Sequence, residues 1–200
     1  MVNTQPLGRP DLDRLRAGDE QTFIELVGLH HDAMVRVARS FVPSYAVAQE
    51  VVQDTWLAVL RGVDGFEGRS SFQTWLYRIL INRARSAGVR EHRHVPIGDH
   101  ECSVDRSRFD DDGQWSLPPE HWTDDLDDRV HAGELSASIW SALDELPVQQ
   151  RSVVALRDLE GLRSTEVCDL LDITEANQRV LLHRGRCRMR DALETEFGKL

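Results

Sequence analysis

The chain has 200 residues, 40% of them hydrophobic, and a formal net charge of −10. That length holds one or two domains with modest cores, and the acidic balance excludes a protein that coats nucleic acid with uniform positive charge, so any basic function has to be concentrated locally. No run of about 18 apolar residues occurs, which excludes a helical membrane span, and Cys102, Cys168 and Cys187 are too scattered for a disulfide framework and read as thiols of a reducing, cytoplasmic compartment.

Residues 1–18 hold Pro6, Gly8, Pro10 and Gly18 and lack the apolar run of a signal peptide. A flexible arm with one helical turn is expected there. From Asp19, suited to a first helical turn, Phe23, Leu26, Val27, Met34, Val37, Ala38 and Phe41 recur at spacings near three and four. This is either one helix or two broken near Gly28 to His31. Ser44 caps the next helix, about residues 45–61, whose apolar content is Val47, Val51, Val52, Trp56, Val59 and Leu60. Gln49, Glu50, Gln53 and Asp54 share one polar face of it. Such a face is ordinarily just solvated. Glu50 and Asp54, however, repel each other at i,i+4 with no basic residue beside them, an arrangement that favours a basic partner surface.

Residues 62–71 form a glycine-rich connection in which Phe66 is expected to be exposed. Ser70 or Ser71 then opens a third helix with Phe72, Trp75, Leu76, Ile79 and Leu80 as its buried stripe. Arg78, Arg83, Arg85, Arg90 and Arg93 face a single acid, Glu91. Basic residues interleaved with Phe66, Trp75 and Tyr77 suit single-stranded nucleic acid, where aromatic faces and a cationic track cooperate. For Trp75 a core position is the expectation.

Residues 95–131 break every periodicity. Between Asp99 and Arg129 stand eleven Asp or Glu against three Arg, a net of −8, so most of the negative charge belongs to an acidic flexible linker. Trp115 and Trp122 are unusual in a pure spacer. His92, His94, His100 and Cys102 match no standard zinc spacing, and no metal or other cofactor is expected.

Beyond the linker, Leu135, Ile139, Leu143 and Leu146 step at helical spacing to Pro147, which opens a helix with Val148, Val153, Val154, Leu156 and Leu159 inside and Gly161 as its cap. Residues 164–190 read as a short amphipathic helix, a tight break at Asp172, and a longer helix that Thr174 caps. Val167, Leu170, Leu171 and Ile173 supply the buried corner. Arg179, Arg184, Arg186, Arg188 and Arg190, with His183 and no carboxylate among them, are the footprint of a helix lying on phosphates. An ordinary helical hairpin with a solvated basic face is the plainer alternative. The fold class expected is all-α: two small helical domains, residues 19–94 and 132–200, joined by the acidic linker.

Together the two halves resemble the extracytoplasmic-function sigma factors of bacterial RNA polymerase. AQEVVQDTWLAVL, residues 48–60, looks like the polymerase-binding helix of sigma domain 2, and FEGRSSFQTWLYRILINRAR, residues 66–85, like its −10-reading part. LDELPVQQRSVVALRDLEGLRSTEVCDLLDIT, residues 143–174, with the helix after it, looks like sigma domain 4. The resemblance implies that Glu50, Gln53, Asp54 and Trp56 dock on the β′ clamp helices of core RNA polymerase, a partner that also includes the β subunit. It implies that Phe66, Ile79 and Asn82 capture a base flipped from the −10 strand, with Arg78, Arg83 and Arg85 on phosphates. It places the linker in the RNA path. For the −35 duplex it implies Thr174, Asn177, Gln178, Arg179, His183, Arg184, Arg186 and Arg188, with Asn177 and Arg179 toward base edges. An anti-sigma factor is a possible further partner.

Three departures stand in this segment: Asp172 where the family usually carries glycine, Gln178 at a commonly apolar position, and Val180 and Leu181 where small polar residues alternate with arginine. The sequence carries no catalytic carboxylate pair, nucleophile–base set or Gly-rich phosphate loop, and no enzyme is expected. A stand-alone helix-turn-helix regulator of duplex operators is the alternative; it would have no use for a strand-separating loop at Phe66. A structural helical adaptor leaves the arginine tracts unexplained.

Overall fold

The computed structural model describes residues 9–91 and 132–197, and among them every regular element is helical. The linker, residues 95–131 with His100 and Cys102, and the preceding His92 and His94 lie outside the described residues. The chain divides into two compact units, residues 1–93 and 94–200, each built around its own core. Among the described residues no helix is long and apolar enough to cross a membrane.

The first unit comprises α1 (Arg9–Arg16), α2 (Glu20–Arg39), α3 (Tyr45–Gly62) and α4 (Phe72–Glu91). Residues 9–16, expected in a loose arm, form a helix because Leu15 finds a buried seat and Arg16 finds carbonyls to bond. α2 runs unbroken through Gly28. Its N-cap Asp19 accepts from Thr22 N at 2.8 Å and Thr22 Oγ1 at 2.6 Å, and these bonds hold its carboxyl below the usual range. Ser44 caps α3 through Val47 N, and Ser71, not Ser70, caps α4 through Thr74 N at 3.0 Å. Met34, Val37, Ala38, Ala48, Val52, Val59, Leu76, Leu80 and Ile81 meet in the core. Tyr77 is fully buried there, whereas Trp75 is half-buried; the expectation that Trp75 is the core aromatic is reversed. The fully buried stripe of α4 runs through residues 76, 77, 80, 81 and 84, which turns Trp75 and Ile79 to its margin.

The second unit comprises α5 (Ala132–Asp144), α6 (Val148–Val154), α7 (Ser164–Leu171) and α8 (Glu175–Phe197). A π-turn, Ala155–Leu159, extends α6, with Glu160 N–H bonding five residues back to Ala155 O at 3.1 Å. The wider turn rotates the residues within and after it relative to α6. Leu159, expected inside, is exposed, and Arg157 is buried instead, donating from Nη1 to Leu162 O at 2.5 Å. Asp172 takes the left-handed conformation expected of it, φ 58°, and closes α7 by an N–H bond to Cys168 O. α8 crosses α6 so closely that a Cβ on Gly185 would lie 2.6 Å from Val154 Cγ2, which is why glycine stands there. Cys187 on the same side is buried. Cys168 is free.

Candidate polymerase and nucleic-acid interfaces

The outward side of α3 is a stripe rather than a patch. Glu50, Gln53, Asp54, Leu57 and Leu60 are all exposed, and their spacing of three to four residues puts them on one face. The acids occupy its N-terminal half and the leucines its C-terminal half. Three expectations change here. Trp56 is only 6% exposed, its ring edge-on to Phe23 with centroids 5.6 Å apart, so it backs the stripe and does not belong to it. Leu60 is on the surface and not in the core. Leu57 carried a legible signal, falling one turn beyond Gln53 and Asp54. Asp54 is not wholly unneutralised either: Arg83 of α4 approaches its carboxylate to 4.0 Å.

Asp54 and Arg83 line a groove of about 480 Å³ with Val51, Ile79, Asn82, Ser86 and Ala87. Ile79 and Asn82, expected to share a pocket with Phe66, sit in this groove. Phe66 lies elsewhere, at the N-terminal end of α4, against Phe72 at 5.9 Å and Trp75 at 5.1 Å between centroids. Ten residues of helix separate Phe72 from Asn82, roughly 15 Å of axial rise, so Phe66 and Asn82 do not form one pocket. Nor is Phe66 exposed. It is 5% accessible, because a 3-10 turn at Val63–Gly65 folds the loop back and Arg16 Nη2 donates to its carbonyl at 2.6 Å. What the loop exposes is Asp64, Gly65, Glu67, Gly68, Arg69, Ser70 and Ser71, beside half-buried Trp75. Arg16 was not legible as part of this site, since its partners are fifty residues away.

Of the arginines on α4, Arg78 and Arg83 are exposed, while half-buried Arg85 places its guanidinium 6.0 Å from the Phe41 ring centroid. His30 of α2 lies under this aromatic group, 6.1 Å from Phe72, and burial holds its imidazole below the ordinary value of 6.5. The unfolded chain therefore binds a proton that the fold excludes. The first unit is expected to lose stability as the pH falls from about 6.5 and to be unaffected above it; thermal melting of the full chain between pH 5 and 8 checks this, and a His30→Phe variant should flatten the acid limb.

In the second unit the rotation of α8 is set by what it buries: Gln178, Leu182, Gly185 and Cys187. Gln178 is 1% exposed, its Oε1 accepting from Ser164 Oγ at 3.1 Å, so it braces α7 against α8 and does not reach DNA. Arg186 clasps Asp158 through two bonds, one of 2.9 Å, and Arg188 donates to Gln150 Oε1 at 3.2 Å. These two side chains, expected on phosphates, knit α8 to the α6 segment. His183 is half-buried beside Cys187 Sγ at 3.9 Å. Thr174, Ala176, Asn177, Arg179, Val180 and Arg184 remain on the outward face, with Thr174 Oγ1 accepting from Asn177 N and Arg179 3.5 Å from the Glu175 carboxylate.

Comparison with known proteins bears on both units. Residues 26–94 match the family model for Sigma-70 region 2, and residues 136–189 that for Sigma-70, region 4. The chain is 28% identical to the ECF RNA polymerase sigma-E factor of Escherichia coli strain K12 over 178 residues, 88% of each chain. It is 27% identical to the RNA polymerase sigma-H factor of Pseudomonas aeruginosa over 194 residues, 96% of each. In fold it is similar to CnrH, solved in complex with the cytosolic domain of CnrY, at a TM-score of 0.62 and 23% identity over 94% of this chain and 97% of that one. It is also similar in fold to the sigma factor RpoE of Bartonella quintana, solved with the anti-sigma factor NepR, at a TM-score of 0.56 and 21% identity over 87% of this chain and 98% of that one.

Proposed function

The chain belongs to the extracytoplasmic-function sigma factors, which direct RNA polymerase to promoters, and from that premise we propose how its residues divide the work. The α3 stripe docks on core polymerase at the β′ clamp helices: Glu50 and Asp54 supply charge complementary to a basic surface, and Leu57 and Leu60 supply the apolar area that gives such an interface its core. Trp56 and Phe23 hold that stripe from behind. The loop after α3, with Trp75 at its edge and Phe66 as its floor, takes the −10 non-template strand. Arg78 and Arg83 hold its phosphates, and exposed Arg69 is added to them.

The outward face of α8 enters the −35 major groove, with Asn177 and Arg179 toward base edges and Arg184 toward phosphate. The protein works in the cytoplasm, contributes no catalytic group, and leaves phosphodiester chemistry to the polymerase. CnrH and RpoE were each solved with a partner, a cytosolic CnrY domain and the anti-sigma factor NepR, and an anti-sigma factor is proposed here as well.

One observation carries the reading: a partner-ready acidic and apolar stripe and a basic duplex-reading face occur on the units that match regions 2 and 4. Electrophoretic binding to promoter fragments with and without core polymerase tests it. Retardation and opening of the −10 segment are expected only when both proteins are present. Tight binding of the chain alone, unchanged by polymerase, would establish a stand-alone operator-binding regulator instead.

A further inference from the structure

An apolar side chain stands in the middle of the DNA-facing surface of α8. Val180 is 37% exposed, on the same stripe as Ala176 and Arg184 at i−4 and i+4 and beside exposed Asn177. Its position is fixed by the inward residues on either side, Gln178 against Ser164 and Leu182 in the core. Rotating the helix to bury Val180 would bring Gln178 to the surface and open the α7–α8 corner. Val180 therefore packs on nothing within its own unit that closes it off from solvent.

The chemistry around it selects what covers it. Arg179 and Arg184 flank it, Thr174 and Asn177 are exposed on the turns before it, and none of these favours an apolar peptide. In the major groove only thymine offers an apolar group at a base edge, its C5-methyl, and it does so beside an O4 acceptor that an amide or guanidinium can meet. We propose that Val180, with Ala176 one turn before it, is a specificity-determining residue that reads a thymine methyl in the −35 element. This rests on the promoter-recognition reading of α8 and adds to it a base preference that the arginines do not supply.

The test uses holoenzyme reconstituted from the full chain and core RNA polymerase. A promoter library with a randomised −35 segment is selected for binding. Each thymine of the winning duplex is then replaced singly by deoxyuridine, which removes the methyl and leaves every hydrogen-bonding group. The wild-type holoenzyme is expected to lose about fourfold in affinity at one thymine, the effect of one buried methyl-sized group. Val180→Ala holoenzyme should bind the thymine duplex more weakly and lose less than about twofold on the same uracil change, so the two changes are non-additive. Because the uracil change is made in the DNA, the wild-type arm is independent of how the variant folds. Equal affinity for every uracil duplex, or a penalty that Val180→Ala leaves intact, overturns the assignment. A holoenzyme that enriches no −35 sequence at all overturns the promoter reading, and the inference with it.

Discussion

Replacing Phe66 by alanine is expected to destabilise the first unit by about 3–5 kcal/mol, the usual consequence of deleting a buried aromatic ring. The ring is one of three that pack on one another at the start of α4, with Phe72 edge-on and Trp75 tilted. Its removal leaves a cavity beneath the loop that Arg16 ties down. This exceeds the roughly 1–3 kcal/mol that stacking on a single base supplies, so the alanine variant should be visible first in thermal melting of the free protein. Loss of open-complex formation should follow on both closed and pre-melted −10 templates.

Phe66→Leu separates the two contributions. It keeps most of the volume, and an apolar swap of that kind costs roughly 1.5 kcal/mol or less, but it has no aromatic face. As the floor of the capture loop, Phe66 should tolerate leucine with near-normal opening. A leucine variant that melts normally and fails on both templates would show that the ring itself meets the flipped base, and would refute the floor assignment. Asn82→Ala should leave the pre-melted template unaffected, because Asn82 lies ten residues, roughly 15 Å, along α4 from Phe72 and the Phe66 loop.

Reversing Glu50 and Asp54 to lysine is expected to weaken core-polymerase binding by on the order of a few kcal/mol, more than a hundredfold, because charges at a partly desolvated interface would meet like charges. Folding should hardly change. Glu50 is exposed, and the Asp54–Arg83 pair joins groups that are 67% and 41% exposed, in the range where an ion pair contributes about 0–1 kcal/mol. Helical content by circular dichroism should match the parent. Competition against the parent for core polymerase gives the affinity ratio, and unchanged competition would remove the docking role from α3. Leu57→Ser and Leu60→Ser complete the comparison. They should weaken the same interaction at high salt, where the acidic contribution is screened.

How far the site was legible depended on the distance over which each feature is determined. Caps and turns were readable one by one. Asp19, Ser44 and Ser71 each bond a backbone N–H three residues on, and Asp172 closes α7 by a bond to Cys168, so a short stretch of chain contains both partners. The acidic turn of α3 and the exposed arginines of α4 and α8 were readable for the same reason, since helical spacing assigns residues to a common face.

Sequence by itself thus determined that this is a helical protein with a region 2 and a region 4 unit, and which helices carry their charged faces. Only the tertiary structure decided which side chains remain on those faces. Trp56 is turned inward by Phe23 and Phe66 by Phe72 and Trp75. Arg186 is taken by Asp158, twenty-eight residues away, and Arg188 by Gln150, thirty-eight away. The extra residue of the π-turn exchanges Leu159 for Arg157 at the core. Each of these outcomes depends on a group brought up by another helix or on a change of helical period, and a local pattern of 3.6 residues contains neither. The outward face of α8 was decided in this way: burial of Gln178, Leu182 and Gly185 against α6 and α7 left Ala176, Asn177 and Val180 exposed to solvent.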